Sequence, residues 1–162
     1  MNTPEQQKSE QERLSALRSY NIMDTIEEDD YDRFTEMAAL ICDTPVSLIT
    51  LLDENRQWFK SKKGIGVRET PRDIAFCHHA IQQDNLFEIP DATADSRFKE
   101  NPLVTGDPNI RFYAGQPLID AHNHNLGTLC VIDKMPRNLN AKQKRLIELL
   151  AGEVTKLIVS RR

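Results

Sequence analysis

Ile110-Arg-Phe-Tyr-Ala-Gly-Gln-Pro-Leu-Ile-Asp-Ala-His-Asn-His-Asn-Leu-Gly-Thr-Leu-Cys-Val-Ile-Asp133 is the stretch that decides the fold. Residues 110–119 and 126–133 are runs of strand length. The polar segment 120–125 between them reads as a turn in which Asn123 or Asn125 can take positive φ. Strands joined this closely pair antiparallel, because a parallel pair needs a crossover of a dozen residues or more. An earlier segment repeats the pattern. Residues 46–53 are aliphatic on both faces, the mark of a central strand. After the turn Asp53-Glu54-Asn55, residues 57–61 alternate polar and aromatic, the mark of a half-exposed strand.

Helical patterns surround these hairpins. Leu14, Leu17 and Tyr20 recur at three-residue spacing, and Asn21 is the stop. Over 29–42, Tyr31, Phe34, Met37, Ala38 and Ile41 make one apolar face, with Asp29 or Asp30 as the cap. Thr70, Pro71 and Asp73 read as the N-cap, first residue and capping-box partner of a third helix over 71–83. The lysines and glycines of 60–66 open a flexible loop before it. Residues 86–89 form a short strand. Residues 91–108 form a long irregular segment with a helical turn at 96–100, and a loop of this length in a compact domain is functional or a lid. Residues 139–162 close the chain as a helix, with Arg161 and Arg162 at its favourable end. The expected fold is α+β: a central antiparallel sheet of about five to six strands sandwiched between helices. Residues 1–11 are expected to be a flexible leader that frays or extends a helix, and 12–162 a single domain.

The bulk numbers exclude several classes. The chain has 162 residues, a net charge of −4 and a pI near 5.6, which argues against nucleic-acid and anionic-membrane partners. No apolar run is long enough to span a bilayer. Cys42, Cys77 and Cys130 are few and odd in number, and no signal-peptide core precedes them. Free thiols in a reducing cytoplasm are therefore expected. The polar leader after Met1 favours a complete small protein or an N-terminal fragment over an internal domain.

The chemistry-bearing block is Cys77-His78-His79. It reads as a nucleophile, a metal site, a chromophore anchor or a pocket wall. Helical metal ligands need i, i+3 or i+4 partners, and Cys77 has Ile81 there while His79 has Gln83. A reactive thiol needs a helix N-terminus or a cation. Cys77 sits about two turns into the expected helix, and His78 lies about 100° around it. No metal and no catalytic residue is assigned. Cys77 and His78 are expected to face the sheet, and His79 to face partly outward. His122 and His124 read as solvated turn residues.

Four blocks together resemble the GAF domain family: 69–81, 91–106, 110–118 and 126–133. They are similar in particular to the modules at the N-termini of bacterial sensor histidine kinases and diguanylate cyclases, and residues 13–25 and 56–61 fit the same group. The resemblance covers 12–162. It implies a GAF/PAS-like sheet, with the first, second and last helices on one face and the middle helix and long loop roofing a small-molecule pocket on the other. By position, that pocket takes Trp58, Phe59, Phe76, Cys77, His78, Asp91, Arg97, Phe98, Asn101, Arg111 and Tyr113. Asp73, Asp91 and Asp95 are alternative internal partners for Arg72, Arg97 and Arg111. Neither ligand nor cofactor is named by the resemblance.

Ile147, Leu150, Val154 and Leu157 space as a short a/d seam on the last helix. Leu146 and Leu149 add a second stripe. The resemblance implies dimerisation through such a helix and relay to a kinase or cyclase output domain, in cis or in trans. The expected function is therefore a non-catalytic, cytoplasmic sensory module in two-component or cyclic di-GMP signalling, working as a homodimer. Two alternatives stand beside it. One is a thiol-dependent reductase of the free methionine sulfoxide reductase type, and the other is a dimerisation scaffold without ligand. Bilin attachment at Cys77-His78 and cyclic-nucleotide binding lack their supporting patterns.

Overall fold

A computed structural model describes residues 3–161. In chain order the elements are α1 (Pro4–Ser19), α2 (Asp29–Cys42), β1 (Val46–Leu52), β2 (Arg56–Lys63), β3 (Glu69–Pro71), α3 (Phe76–Ala80), β4 (Phe87–Ile89), α4 (Pro102–Thr105), β5 (Phe112–Ile119), β6 (Asn125–Asp133) and α5 (Ala141–Val159). Single 3-10 turns cover Arg72–Ile74 and Ala92–Ala94. The strands form one six-stranded sheet in the order β3-β2-β1-β6-β5-β4, and every neighbouring pair is antiparallel. This is the α+β architecture expected from the sequence.

Burial follows the period of two along each strand. Ile49, Leu51, Trp58, Phe112, Ala114, Leu129 and Val131 face α1, α2 and α5 and form the larger core with them. Leu48, Phe59, Tyr113, Cys130 and Ile132 face the other way, under α3 and the long loop. β1 is buried along its whole length, as its unbroken apolar run requires.

Several local expectations fail for identifiable reasons. The leader extends the first helix. Thr3 and Gln6 close a capping box, Pro4 takes the first helical position, and the helix runs from there; Met1 and Asn2 lie outside the described residues. Neither Asp29 nor Asp30 caps α2; the cap residue is Glu28, without a side-chain bond. Gln57 to Ser61 is buried rather than half-exposed. A bulge opposite Ile49 and Thr50 leaves Lys60 as the extra residue. Lys60 ends on the helix side, bonded to Glu28, Thr25 and the Ile26 carbonyl, over the Tyr31 ring.

The third helix is the largest departure. Thr70 lies in β3 and its hydroxyl accepts from Gln57, so it caps nothing. Pro71 and Ala75 have extended ψ, which divides the segment into a 3-10 turn and the five-residue α3. Likewise the helical turn of the long loop falls at α4, capped by Asn101; residues 96–100 form a tight turn whose amides at Phe98 and Lys99 bond back to Asp95.

Glycine matters where β1 and β6 meet. A Cβ at Gly127 would collide with the Thr50 carbonyl oxygen. Gly127→Ala is therefore expected to lower stability by about 1–3 kcal/mol, read as a fall in the urea midpoint at constant m value.

Candidate functional site

The space beneath the expected roof is filled by the chain's own aromatic rings. Phe76 of α3 stacks on Phe98 of the long loop with centroids 4.3 Å apart, and the Tyr113 ring of β5 lies 5.2 Å from Phe76. Phe87 and His79 close around Phe98, with His79 edge-on at 4.8 Å. Phe76, Phe98 and Tyr113 are buried to within 2 % of their surface. Asn101 pins the loop to the roof by donating to the Ile74 carbonyl at 3.1 Å. The sheet side of this space is polar: Thr50 and Thr128 hydroxyls bond at 2.9 Å, and the buried Cys77 thiol bonds the Gln57 side chain. The buried Tyr113 hydroxyl sits over Gly115, where a Cβ would strike it, beside Thr128 and Cys130 but with no well-aligned hydrogen bond among the described residues.

The residues expected to line one pocket therefore divide. Phe59, Phe76, Phe98 and Tyr113 form this packed cluster, with Cys77 beside it among Leu52, Ala75 and Ile81. Trp58 is on the opposite face of the sheet, in the main core. Asp91 caps the Ala92–Ala94 turn, and Asn101 caps α4. Arg97 lies on the surface, paired with Asp95 at 2.8 Å over the Phe87 and Phe98 rings. Arg111 donates to the carbonyls of Val104 and Ile110 rather than to a carboxylate. His79 packs inward on aromatics, while His78 turns towards α1. His124 is not a free turn residue: its ring lies 3.2 Å from the buried Asp120 carboxylate, which also accepts from Tyr20.

A second constellation, unexpected from the sequence, joins α1 to the roof. Glu10 accepts from Arg13 Nε and Nη2, both at 2.9 Å, and from Arg72 Nη1 at 2.5 Å. Arg13 also reaches the Leu52 carbonyl at 2.7 Å and the Asn125 carbonyl at 3.3 Å. Arg72 reaches the Asp53 carbonyl at 3.1 Å, and its Nε donates to His78 Nδ1 at 3.2 Å. Burial alone would raise the Glu10 carboxyl, but the two guanidiniums outweigh it and hold it down at about 2. The one available signal was the i, i+3 spacing of Glu10 and Arg13, which places them on one helix face.

None of the three thiols is activated. All are buried, and burial pushes Cys77 and Cys130 up to about 12 and Cys42 up to about 11. Among the described residues, no group of three or more His, Cys, Asp or Glu is placed to hold a metal. No helix among them is long and apolar enough to cross a membrane.

On α5, Ile147 and Val154 of the expected seam turn into the core, beside Ala151 and Ile158. Leu150 and Leu157 stay half-buried at the surface, next to exposed Leu149. Across from them α2 presents Phe34, Met37 and Leu40, and a shallow groove runs between Phe34, Met37 and Leu157. Arg161 reaches Glu28 at 2.8 Å rather than only the helix end; Arg162 lies outside the described residues.

A six-stranded antiparallel sheet with three helices on one face and a short helix and long loop on the other defines the α+β class of this fold. Residues 25–158 match the family described as GAF domain, and the chain belongs to it. A cyclic di-GMP phosphodiesterase of Pseudomonas aeruginosa is 42% identical over 137 residues, covering 85% of this chain and 23% of that protein. The chain thus spans about a quarter of the length of this curated relative. Among solved structures, the GAF domain of an Acinetobacter phosphoenolpyruvate-protein phosphotransferase superposes with TM-score 0.69 at 17% identity, over 98% of this chain and 95% of that one. A type II free methionine-R-sulfoxide reductase of Thermoplasma acidophilum gives 0.66 at 8% identity, over 82% and 92%. These likenesses are of fold.

Two outcomes check the site. Glu10→Gln leaves the buried Arg13 guanidinium short of charge and is expected to cost about 3 kcal/mol, measured by urea unfolding. Because the Glu10 carboxyl is held below its ordinary value, its contribution is complete above about pH 5 and is lost as pH falls from there towards 2. The stability difference between wild type and Glu10→Gln should shrink over that window.

Proposed function

We propose that this chain is a non-catalytic regulatory GAF module of a cyclic di-GMP signalling protein, acting in a reducing cytoplasm. The observation that carries the reading is the combination of sealed thiols on the inside with an apolar α2–α5 face on the outside. A thiol-dependent reductase needs a thiolate that substrate can reach, and Cys42, Cys77 and Cys130 are each buried with raised pKa values. The α2–α5 face instead offers Met37, Leu40, Leu149, Leu150 and Leu157 to a partner. A second copy of the chain, pairing these helices and passing movement along α5 to an output domain such as a kinase or cyclase, is the arrangement proposed. The match to part of a cyclic di-GMP phosphodiesterase supports the signalling context.

One observation favours a ligand-sensing version of this role. The Tyr113 hydroxyl is buried beneath the roof beside Thr128 and Cys130 without a well-aligned hydrogen bond, and such groups in native proteins call for an explanation. In this reading a small molecule lifts Phe76 and Phe98 and bonds Tyr113, Thr50 and Thr128. Re-exposing two buried phenylalanines costs roughly 3–6 kcal/mol, which the ligand must repay.

Two measurements test the proposal. Sedimentation of the wild type should show a dimer that Leu149→Glu dissociates at unchanged melting temperature; a wild-type monomer at high micromolar concentration contradicts it. Native iodoacetamide treatment followed by intact-mass analysis should leave all three cysteines unmodified, whereas rapid labelling of Cys77 or Cys130 would restore the reductase reading.

A further inference from the structure

The exit of α5 is tied to the sheet through one carboxylate. Glu28, just ahead of α2, accepts from Lys60 and from Arg161 Nη1 at 2.8 Å, both on the same oxygen. Lys60 is the extra residue of the β2 bulge. Its ammonium spends its three donors on Glu28, on the Thr25 hydroxyl at 2.8 Å and on the Ile26 carbonyl at 2.6 Å. Arg161, just past the end of α5, also reaches the Asn21 carbonyl at 3.4 Å. Segment 21–28, between α1 and α2, is thus gripped from the sheet by Lys60 and from α5 by Arg161.

The two halves of this clasp differ in kind. The Lys60 side chain is wholly buried, so parting from its acceptors would leave a buried charge uncompensated. Glu28 and Arg161 are 35% and 25% exposed, and water solvates both when they separate. Beyond the buried Ile22, the segment is open on its outer side. A cleft of about 960 Å³ lies between residues 24–27 and the outer edge of β2, which β3 pairs along Arg56–Trp58. Ile26 stands 83% exposed there. The other side-chain tie from the sheet to residues 24–28, among the described residues, is the surface pair of Arg56 with Asp24.

We propose that Glu28 is a one-sided latch on α5: it stays with Lys60 and releases Arg161, so that the last turn of α5 alternates between a docked and a free position. The bulge makes Lys60 the sheet's handle on the segment. A shift of the β2 edge carries Thr25, Ile26 and Glu28 with it, and the half-exposed Arg161 contact is the one that yields. This inference rests on the proposed relay along α5, and it supplies the point at which the sheet acts on that helix.

The test is native-state amide exchange by NMR on the full chain, comparing Arg161→Gln, Lys60→Met and the double variant with wild type. Arg161→Gln should lower protection at residues 157–160 about two- to fivefold, the worth of a half-exposed ion pair. Lys60→Met should lower it at the same amides by a similar factor, although the bonds of Lys60 go to residues 25–28 and none to α5. The double variant should go no further than the larger single effect, because both act through Glu28. Wild-type protection at 157–160 in Lys60→Met overturns the proposal, as do effects that multiply in the double variant. If Lys60→Met does not fold, Glu28→Gln takes its place. It must loosen 157–160 together with the Thr25 and Tyr31 amides, which bond within and next to the segment, and loosening of one set alone overturns the proposal. Every rate is read within one chain. A wild-type monomer in sedimentation would therefore remove the dimer and leave the latch, while a dimer with unchanged exchange in Lys60→Met would remove the latch alone.

Discussion

One carboxylate shared by two guanidiniums holds the two layers of this protein in register. Glu10 sits on α1, which packs on the helix side of the sheet, and Arg72 sits at the start of the roof on the other side. Arg13 meets the same carboxylate and reaches the backbone where β1 ends and β6 begins. These groups are largely withdrawn from water, so each depends on the others for compensation. Asn125 adds a second tie at the same corner, donating to the Ile81 and Gln83 carbonyls that follow α3. The roof is thus fixed from outside the sheet as well as from beneath it.

The fixed roof explains why the interior is closed. Phe76 and Phe98 stack above a sheet face that carries Thr50, Thr128 and Tyr113. Aromatic pairing adds about 0.5–1.5 kcal/mol to what burial supplies, so the closed arrangement is favoured while the Glu10 clasp holds. The regulatory role proposed for the chain needs two arrangements separated by a few kcal/mol. Here the elements able to supply them are the α1–roof contact and the aromatic stack, which meet at the short α3.

Much of the sheet was legible because its signals are local. The run 46–52 and the hairpin around Asn123, which takes positive φ as expected, specify strand, face and turn from adjacent residues. The GAF resemblance supplied the layering. The roof was misread because Thr70-Pro71 satisfies the rules for a helix start, yet pairing of β3 with Arg56, Gln57 and Trp58 takes that backbone into the sheet. Tertiary pairing outweighed local propensity there. The β2 bulge also escaped notice, since nothing in 57–61 marks Lys60 as an extra residue. Glu10 escaped for a different reason: its partner Arg72 is 62 residues away, and a polar leader gives no sign of burial. The expected pocket residues come from several segments, and side-chain direction sends Trp58, His78 and Arg97 to three separate places.

Native-state hydrogen exchange on wild type and Glu10→Gln tests most directly whether α1 and the roof act as one unit. The account predicts that the variant loses protection together at α1 and at the amides of Ala75, His78 and Ile81, which bond within the roof segment, while β1 and β6 keep theirs. Loss confined to α1, with the roof amides as slow as in wild type, would contradict it.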